Sequence, residues 1–199
     1  MSVSRFYLRG LVIGALVMTG FGAFWAIGGA FNLPNPVSAI ILVASLLIVI
    51  GLLVASLCLW RKSETLPAHS SPEESTYWRN SGKWFGLIFA SEAALIAIAS
   101  IVLGNTGHDA LIPPVIALIV GLHFLLLAPL FRLPLYNVTG IAMSALALAC
   151  IIAVIAGWRP AGDSLFFWSI VVGLGSAALL WATAITLLLN GNRLLVASA

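Results

Sequence analysis

Charge is scarce in this sequence. Of its 199 residues, 8% are charged and 62% are hydrophobic, whereas soluble globular domains carry about 25% charged residues. Residues 11–60 contain no Asp, Glu, Lys, Arg or His at all. A chain of this composition cannot cover a water-facing surface, so we exclude a soluble domain and expect lipid around most of the chain.

Cysteine pairs and catalytic motifs are also lacking. Cys58 and Cys150 lie at predicted depths that differ by about 18 Å, too far apart for a disulfide. The sequence has no HExxH or GxSxG motif, no glycine-rich phosphate loop and no cysteines at metal-ligand spacing. It therefore predicts neither an enzyme nor a site for a metal or cofactor.

The nine basic residues are scattered between apolar stretches and form no patch. We therefore do not expect nucleic-acid binding. If the chain crosses the membrane six times, Arg159 is the only basic residue on one side of the membrane. The eight on the other side are Arg5, Arg9, Arg61, Lys62, Arg79, Lys83, Arg132 and Arg193. Because basic residues favour the cytoplasmic side, this bias predicts that both termini are cytoplasmic.

Six apolar stretches have the length of about 20 residues that a bilayer core of about 30 Å requires. The predicted spans are residues 8–31, 37–60, 84–103, 113–131, 137–158 and 164–189, with a cytoplasmic loop at 61–83. Most of the breaks between them are short, so consecutive helices should pair. The predicted fold class is an all-α integral membrane protein, a single transmembrane domain over residues 1–199 with six helices arranged as three hairpins.

Two ionisable residues, Glu92 and His123, interrupt the third and fourth spans. Glu92 lies eight residues after Trp84, and His123 lies eight residues before Phe131. Both should therefore lie about 12 Å from the cytoplasmic end of their helices. Because charge is costly in hydrocarbon, such residues mark functional sites and need partners. We expect the two side chains to meet, as an ion pair or by sharing a proton.

Polar groups at similar depth predict a cavity that opens towards the cytoplasm. Ser91 neighbours the acid, whereas Ser144 and Thr183 lie on the fifth and sixth spans. Each of these three side chains is a candidate to bind a proton or a small molecule. Serine and threonine also commonly bond to their own helix backbone, which is the structural alternative.

Small residues recur at spacings that allow helices to approach closely. Gly10 and Gly14 form a GxxxG pattern, and Gly121 and Gly173 occupy similar Val-Gly-Leu triplets. Such faces predict helix packing, either within the chain or between copies in a homo-oligomer.

A longer segment supports a family resemblance. The sequence PPVIALIVGLHF at residues 113–124, followed by Phe131, Pro134, Tyr136 and Gly140, resembles a family of small uncharacterised bacterial membrane proteins with six helices. These proteins share an IVGLHF stretch and an acid in the preceding helix, which here is Glu92. In this chain the next proline after HF is delayed to position 129. The resemblance covers roughly residues 84–140 and implies a bacterial cytoplasmic (inner) membrane location, with no established activity.

Two functional hypotheses follow. In the first, the chain is a small transporter in which Glu92 and His123 bind a proton or a polar small molecule. In the second, it transports nothing and serves as a structural or interaction module that packs through its glycine faces. The lipid bilayer is a partner in both.

Overall fold

The structure, a computed structural model, describes residues 4–66, 72–158 and 166–198, with side chains described for all of these except 72–80, 197 and 198. This part of the chain is helical and contains no strand. The six α-helices are α1 (Arg5–Ala30), α2 (Val37–Ser63), α3 (Pro72–Asn105), α4 (Ile112–Phe131), α5 (Leu135–Ile155) and α6 (Phe167–Ser198). Each contains a segment long and apolar enough to span a membrane. The prediction of an all-α protein with six membrane-compatible helices is confirmed.

Two helices are longer than the predicted spans. Helix α3 begins at Pro72, well before Trp84, so much of the predicted loop at 61–83 is helical. Helix α6 continues past Leu189 to Ser198. The predicted start of the sixth span at 164 lies outside the described residues. Hydropathy marks where the hydrocarbon ends, whereas a helix can continue into water because its backbone bonds to itself.

Helices α3, α4 and α5 are each followed by a residue with left-handed backbone geometry. After α3 and α5 this residue is glycine, Gly107 with φ 72° and Gly157 with φ 66°. After α4 it is Arg132, with φ 53°, a conformation that costs a non-glycine residue about 1 kcal/mol. The N–H of Leu133 donates to the carbonyl of Ala128 at 3.0 Å, which completes a Schellman-type end. The chain therefore turns sharply from α4 into α5.

The helices differ in how many neighbours they have. Helix α1 packs most extensively against α6, and α4 packs most extensively against α5. Helix α2 rests on α1 and α6. Within the described residues, the backbone of α3 approaches only α4 and the short 3₁₀ turn Asp109–Leu111. The core therefore consists of α1, α4, α5 and α6, with α2 and α3 at the periphery.

Glycines set the close approach of α1 and α6. A Cβ atom at Gly173 would lie 2.9 Å from the Cα of Gly29, so the two backbones are in direct contact. Further along α1, the indole of Trp181 fills the space beside Gly22. Its Nε1–H donates to the carbonyl of Thr19 at 3.4 Å. Larger residues at these glycines would push the helices apart.

The α4–α5 interface is built in the same way. A Cβ atom at Gly140 would lie 2.7 Å from the carbonyl oxygen of Gly121. A Cβ atom at Gly121 would lie 2.8 Å from the backbone nitrogen of Ser144. The glycines at 121 and 173, which the sequence marks for packing, therefore lie in the two most extensive interfaces.

We expect Gly173→Ala to destabilise the protein by about 1 to 3 kcal/mol, because the added methyl group would meet backbone atoms that cannot rotate away. These atoms are the Cα and nitrogen of Gly29 and the carbonyl oxygen of Trp25, at 2.9 to 3.2 Å. Chemical unfolding in detergent micelles measures the change. The matched control is Gly28→Ala, since nothing lies within 4 Å of a Cβ there. Equal stability of the two variants would contradict the described interface.

Candidate functional site

Helices α3 and α4 bring Glu92 and His123 into contact. Nδ1 of His123 lies 3.2 Å from Oε2 of Glu92, and the side chains of His123 and Glu92 are 8% and 11% exposed respectively. The two residues come from membrane-compatible segments that follow each other in the chain. An acid and an imidazole therefore meet inside the apolar part of the fold.

This contact is close but is not an aligned hydrogen bond. Among the described residues, Nδ1 of His123 has no partner with hydrogen-bond geometry. The carboxyl oxygen of Glu92 therefore lies at contact distance from Nδ1, 3.2 Å, without the alignment of a hydrogen bond. A small rotation of either side chain is enough to align the bond or to break it, because hydrogen bonds weaken steeply with angle.

Aromatic rings surround the pair. The His123 ring meets Phe89 of α3 edge-on, with ring centroids 6.5 Å apart, and lies 6.0 Å from Phe124. Towards the start of α3, Phe85 stacks on Phe89 at 5.9 Å and packs against Phe131 at 5.8 Å. These rings limit the access of water to the imidazole.

The aromatic residues are not among the sites predicted from the sequence, although their spacing carries a signal. Phe85, Phe89 and Glu92 occupy positions i, i+4 and i+7, which lie on one face of a helix. This is the face that α3 presents to α4. A helix face that carries two phenylalanines and an acid is expected to pack against a neighbouring helix and to place one polar group in that interface.

The structure does not bring Ser91 or Thr183 to the pair. Ser91 is exposed and its hydroxyl donates to the carbonyl of Ile88 at 2.7 Å. The Thr183 hydroxyl donates to the carbonyl of Leu179 at 2.8 Å and lies 2.7 Å from the hydroxyl of Thr139. Ser91 therefore faces away from Glu92 because neighbours on a helix differ by about 100°, and Thr183 joins α6 to α5.

Ser144 also lies away from His123. It packs against Gly121, and its buried hydroxyl oxygen has no hydrogen-bond partner among the described residues. Gly121 and His123 are two positions apart, which places them about 200° apart around α4. Ser144 thus belongs to the α4–α5 interface, whereas His123 faces α3.

A cavity of about 540 Å³ lies between α1 on one side and α3, α4 and α5 on the other. Gly10 and Gly14 line it, and a Cβ atom at Gly14 would lie 2.8 Å from the hydroxyl oxygen of Tyr136. Most of the lining is apolar, and neither Glu92 nor His123 is part of it. The cavity expected from the sequence was polar and reached His123, whereas this one is apolar and lies beside the aromatic rings.

In the part of the chain that the structure describes, no group of three His, Cys, Asp or Glu residues is placed to hold a metal ion.

Comparisons with protein-family models, curated proteins and solved structures find no match to the chain. Its function is therefore inferred from the chemistry of its own side chains.

We expect removal of one member of the pair to cost more stability than removal of both. His123→Leu leaves a lone carboxyl group in an apolar interface, a situation that costs about 3 kcal/mol in buried ion pairs. Glu92→Leu/His123→Leu replaces the pair with apolar groups and should recover most of that loss. Chemical unfolding of both single variants and the double variant gives the coupling energy.

Ser91→Ala is the control for this cycle, because its side chain is exposed and bonds only to its own helix. Its stability should stay within about 0.5 kcal/mol of the wild type. Additive effects of the Glu92 and His123 substitutions would show that the two side chains do not interact.

Proposed function

We propose that this chain is a small transporter of the bacterial cytoplasmic membrane, in which Glu92 and His123 bind and release a proton or a small polar ligand. The observation that carries this proposal is the 3.2 Å contact between two nearly buried ionisable side chains on two membrane-compatible helices. The family resemblance over residues 84–140 supports the bacterial location.

The charge balance of the pair supports proton handling. A carboxylate beside an imidazolium and a carboxylic acid beside a neutral imidazole hold the same number of protons and have no net charge. Gaining or losing one proton leaves a single charge at the interface. An uncompensated charge in a medium of low polarity costs several kcal/mol. The proton content of the pair is therefore coupled to any movement that admits water or a counter-charge.

We infer that α3 is the element that moves. Its described backbone approaches only α4 and the turn Asp109–Leu111, whereas α6 packs against α1, α2, α4 and α5. The interface with α4 includes the Glu92–His123 pair and the contacts of Phe85 and Phe89. A change in the charge of the pair would act on the interface that holds α3. A second position of α3 would supply the two arrangements that alternating access requires.

The rival proposal is a non-transporting module that packs against a copy of itself or another membrane protein. A specific observation favours it, because several glycines face outward, with no atom within 4 Å of the position that a Cβ would take. Among the described residues these include Gly51 on α2 and Gly86 on α3. Outward small residues allow a second helix to approach closely. In this proposal the ion pair fixes α3 to α4 and moves no proton.

Both proposals place the two termini in the cytoplasm and arrange the helices as three hairpins. The distribution of basic residues supports this orientation. The guanidinium of Arg5 at the start of α1 donates to the carbonyls of Glu64 and Leu66, just after α2, at 2.7 to 3.1 Å. The start of α1 and the end of α2 therefore lie at the same level.

We expect a green fluorescent protein fused after Ala199 to fluoresce in bacterial cells, because it folds on the cytoplasmic side. Alkaline phosphatase at the same position should be inactive. The matched control is alkaline phosphatase inserted after Gly107, between α3 and α4, which should be active. The reverse pattern at both positions would overturn the proposed orientation.

We expect Glu92→Gln and His123→Ala each to abolish proton movement by the reconstituted protein, lowering it at least tenfold. The assay uses liposomes with a trapped pH-sensitive dye, an imposed pH gradient and valinomycin with potassium to clamp the membrane potential. The control is Glu64→Gln, which removes a carboxyl group that is 64% exposed. It should retain wild-type flux.

Circular dichroism and thermal unfolding show whether the variants keep the fold. Folded variants without flux support the transporter. A wild-type protein that moves no more protons than empty liposomes would overturn proton transport. Loss of folding in both variants without any wild-type flux would favour the structural module.

A further inference from the structure

The 540 Å³ cavity is lined by residues of five helices, α1 to α5. Helix α1 forms one wall, and the opposite wall contains Phe85 of α3, Leu127 and Phe131 of α4, and Tyr136 of α5. Cavities of 300 to 1,000 Å³ are typical of small-molecule sites. The residues that surround it are almost all apolar, so its contents must be largely hydrocarbon.

Exposed apolar residues of α1 line part of the cavity. Ile13 and Val17 of α1 line it and are 51% and 40% exposed. Both lie within the membrane-compatible segment of α1. A ligand can therefore enter sideways from lipid without crossing water.

A basic side chain lies at the end of the cavity near the start of α1. The guanidinium carbon of Arg9 lies 4.6 Å from the centroid of the Trp60 ring, and its Nε–H donates to the hydroxyl of Ser63 at 3.3 Å. Its nearest carboxyl oxygen, from Glu64, is 3.9 Å away. Arg9 is thus held in place, with a loose salt bridge that leaves donors available to an anion.

The surrounding charge also favours an anion. Several described basic residues lie near this end of the cavity, and Glu64 is the nearby acid among the described side chains. Helix ends carry Arg5, Arg61, Lys62 and Arg132, and Lys83 follows Gly82 of the cavity lining on α3. Clusters of this kind attract anionic lipids to membrane surfaces.

A polar group lies deeper in the cavity. The hydroxyl of Tyr136 lies against Gly14, and the Tyr136 side chain is 4% exposed. Tyr136 lines the cavity, and its hydroxyl group can donate a hydrogen bond to an acceptor there. Gly14 follows Arg9 by five residues, so the hydroxyl lies about 7 Å deeper than the arginine along α1. A ligand that satisfies both groups has an anion outside and a hydrogen-bond acceptor further in.

We propose that this cavity binds an anionic phospholipid from the leaflet on the side of the chain termini. The phosphate contacts Arg9, an ester carbonyl accepts a hydrogen bond from Tyr136, and an acyl chain fills the apolar space beside Phe85 and Leu127. This order of phosphate, ester and hydrocarbon is the order of the groups along a phospholipid. The site is separate from Glu92 and His123, so the proposal stands whether or not the protein moves protons.

The test compares two phospholipids that differ only in the head group. Phosphatidylglycerol and phosphatidylcholine, each with a photoreactive diazirine on one acyl chain, are incorporated into liposomes with the full-length protein. After illumination, peptide mass spectrometry locates the adducts. We expect phosphatidylglycerol to label residues around Phe85 and Leu127 at least fivefold more than phosphatidylcholine.

Two variants test the assigned contacts, with one matched control. Arg9→Gln should lower phosphatidylglycerol labelling of the cavity about fivefold, to near the phosphatidylcholine level. Tyr136→Phe keeps the ring and removes the hydroxyl, and it should lower labelling by both lipids about fivefold. Arg193→Gln removes the same charge from an exposed residue that lies outside both the cavity and the basic cluster, and it should leave labelling unchanged. Thermal unfolding of each variant confirms that it is folded.

Four outcomes would overturn the proposal. One is equal labelling by the two lipids, and another is labelling spread evenly over the lipid-facing residues. The third is a dimer in native mass spectrometry whose contacts cover Ile13 and Val17 without bound lipid, which would assign the cavity to a second copy of the chain. The fourth is an equal loss of labelling in Arg9→Gln and Arg193→Gln, which would show a general surface-charge effect.

Discussion

Helices in a bilayer gain little by burying apolar side chains, because the lipid is as apolar as the helix interface. Close approach of backbones therefore carries much of the packing in this protein. Gly29 with Gly173 joins α1 to α6, and Gly121 with Gly140 joins α4 to α5. These two helix pairs form the core, and the positions of the remaining helices follow from them.

Helix α3 lies outside this glycine packing. Gly82 and Gly86 on α3 face open space, and the described contacts that attach α3 include Ile88, aromatic rings and the Glu92–His123 pair. Contacts between backbones do not change with protonation, whereas an acid–imidazole contact does. The peripheral helix is therefore held by an interaction that a proton can alter, and the core is held by interactions that it cannot.

The sequence predicts the parts of this arrangement that depend on local rules. Hydropathy locates six membrane-compatible helices because each needs about 20 apolar residues. The constant rise of a helix places Glu92 and His123 at one depth, and the structure brings them together. The pairing of α1 with α6 joins distant parts of the chain. The residues around Gly173 in the sequence do not identify Gly29 as its partner.

Side-chain direction was the other step that depth alone could not supply. Ser91, Ser144 and Thr183 have suitable depths, but none of them faces the pair. Depth is one coordinate of a helical residue and rotation about the axis is the second. The apolar cavity escaped prediction for the same reason, since Arg9 and Tyr136 gain significance only once the Tyr136 side chain is known to reach Gly14 of α1.

Phe85 connects the Glu92–His123 pair to the cavity. It lines the cavity and stacks on Phe89, whose ring contacts the imidazole of His123. Any displacement of α3 from α4 would therefore change the shape of the cavity and the surroundings of the pair together. If a lipid in the cavity favours one position of α3, thermodynamic linkage requires that it also changes the proton affinity of the pair, and protonation must change lipid affinity by the same factor. An element shared by two sites makes each sensitive to the other without a direct contact between their ligands.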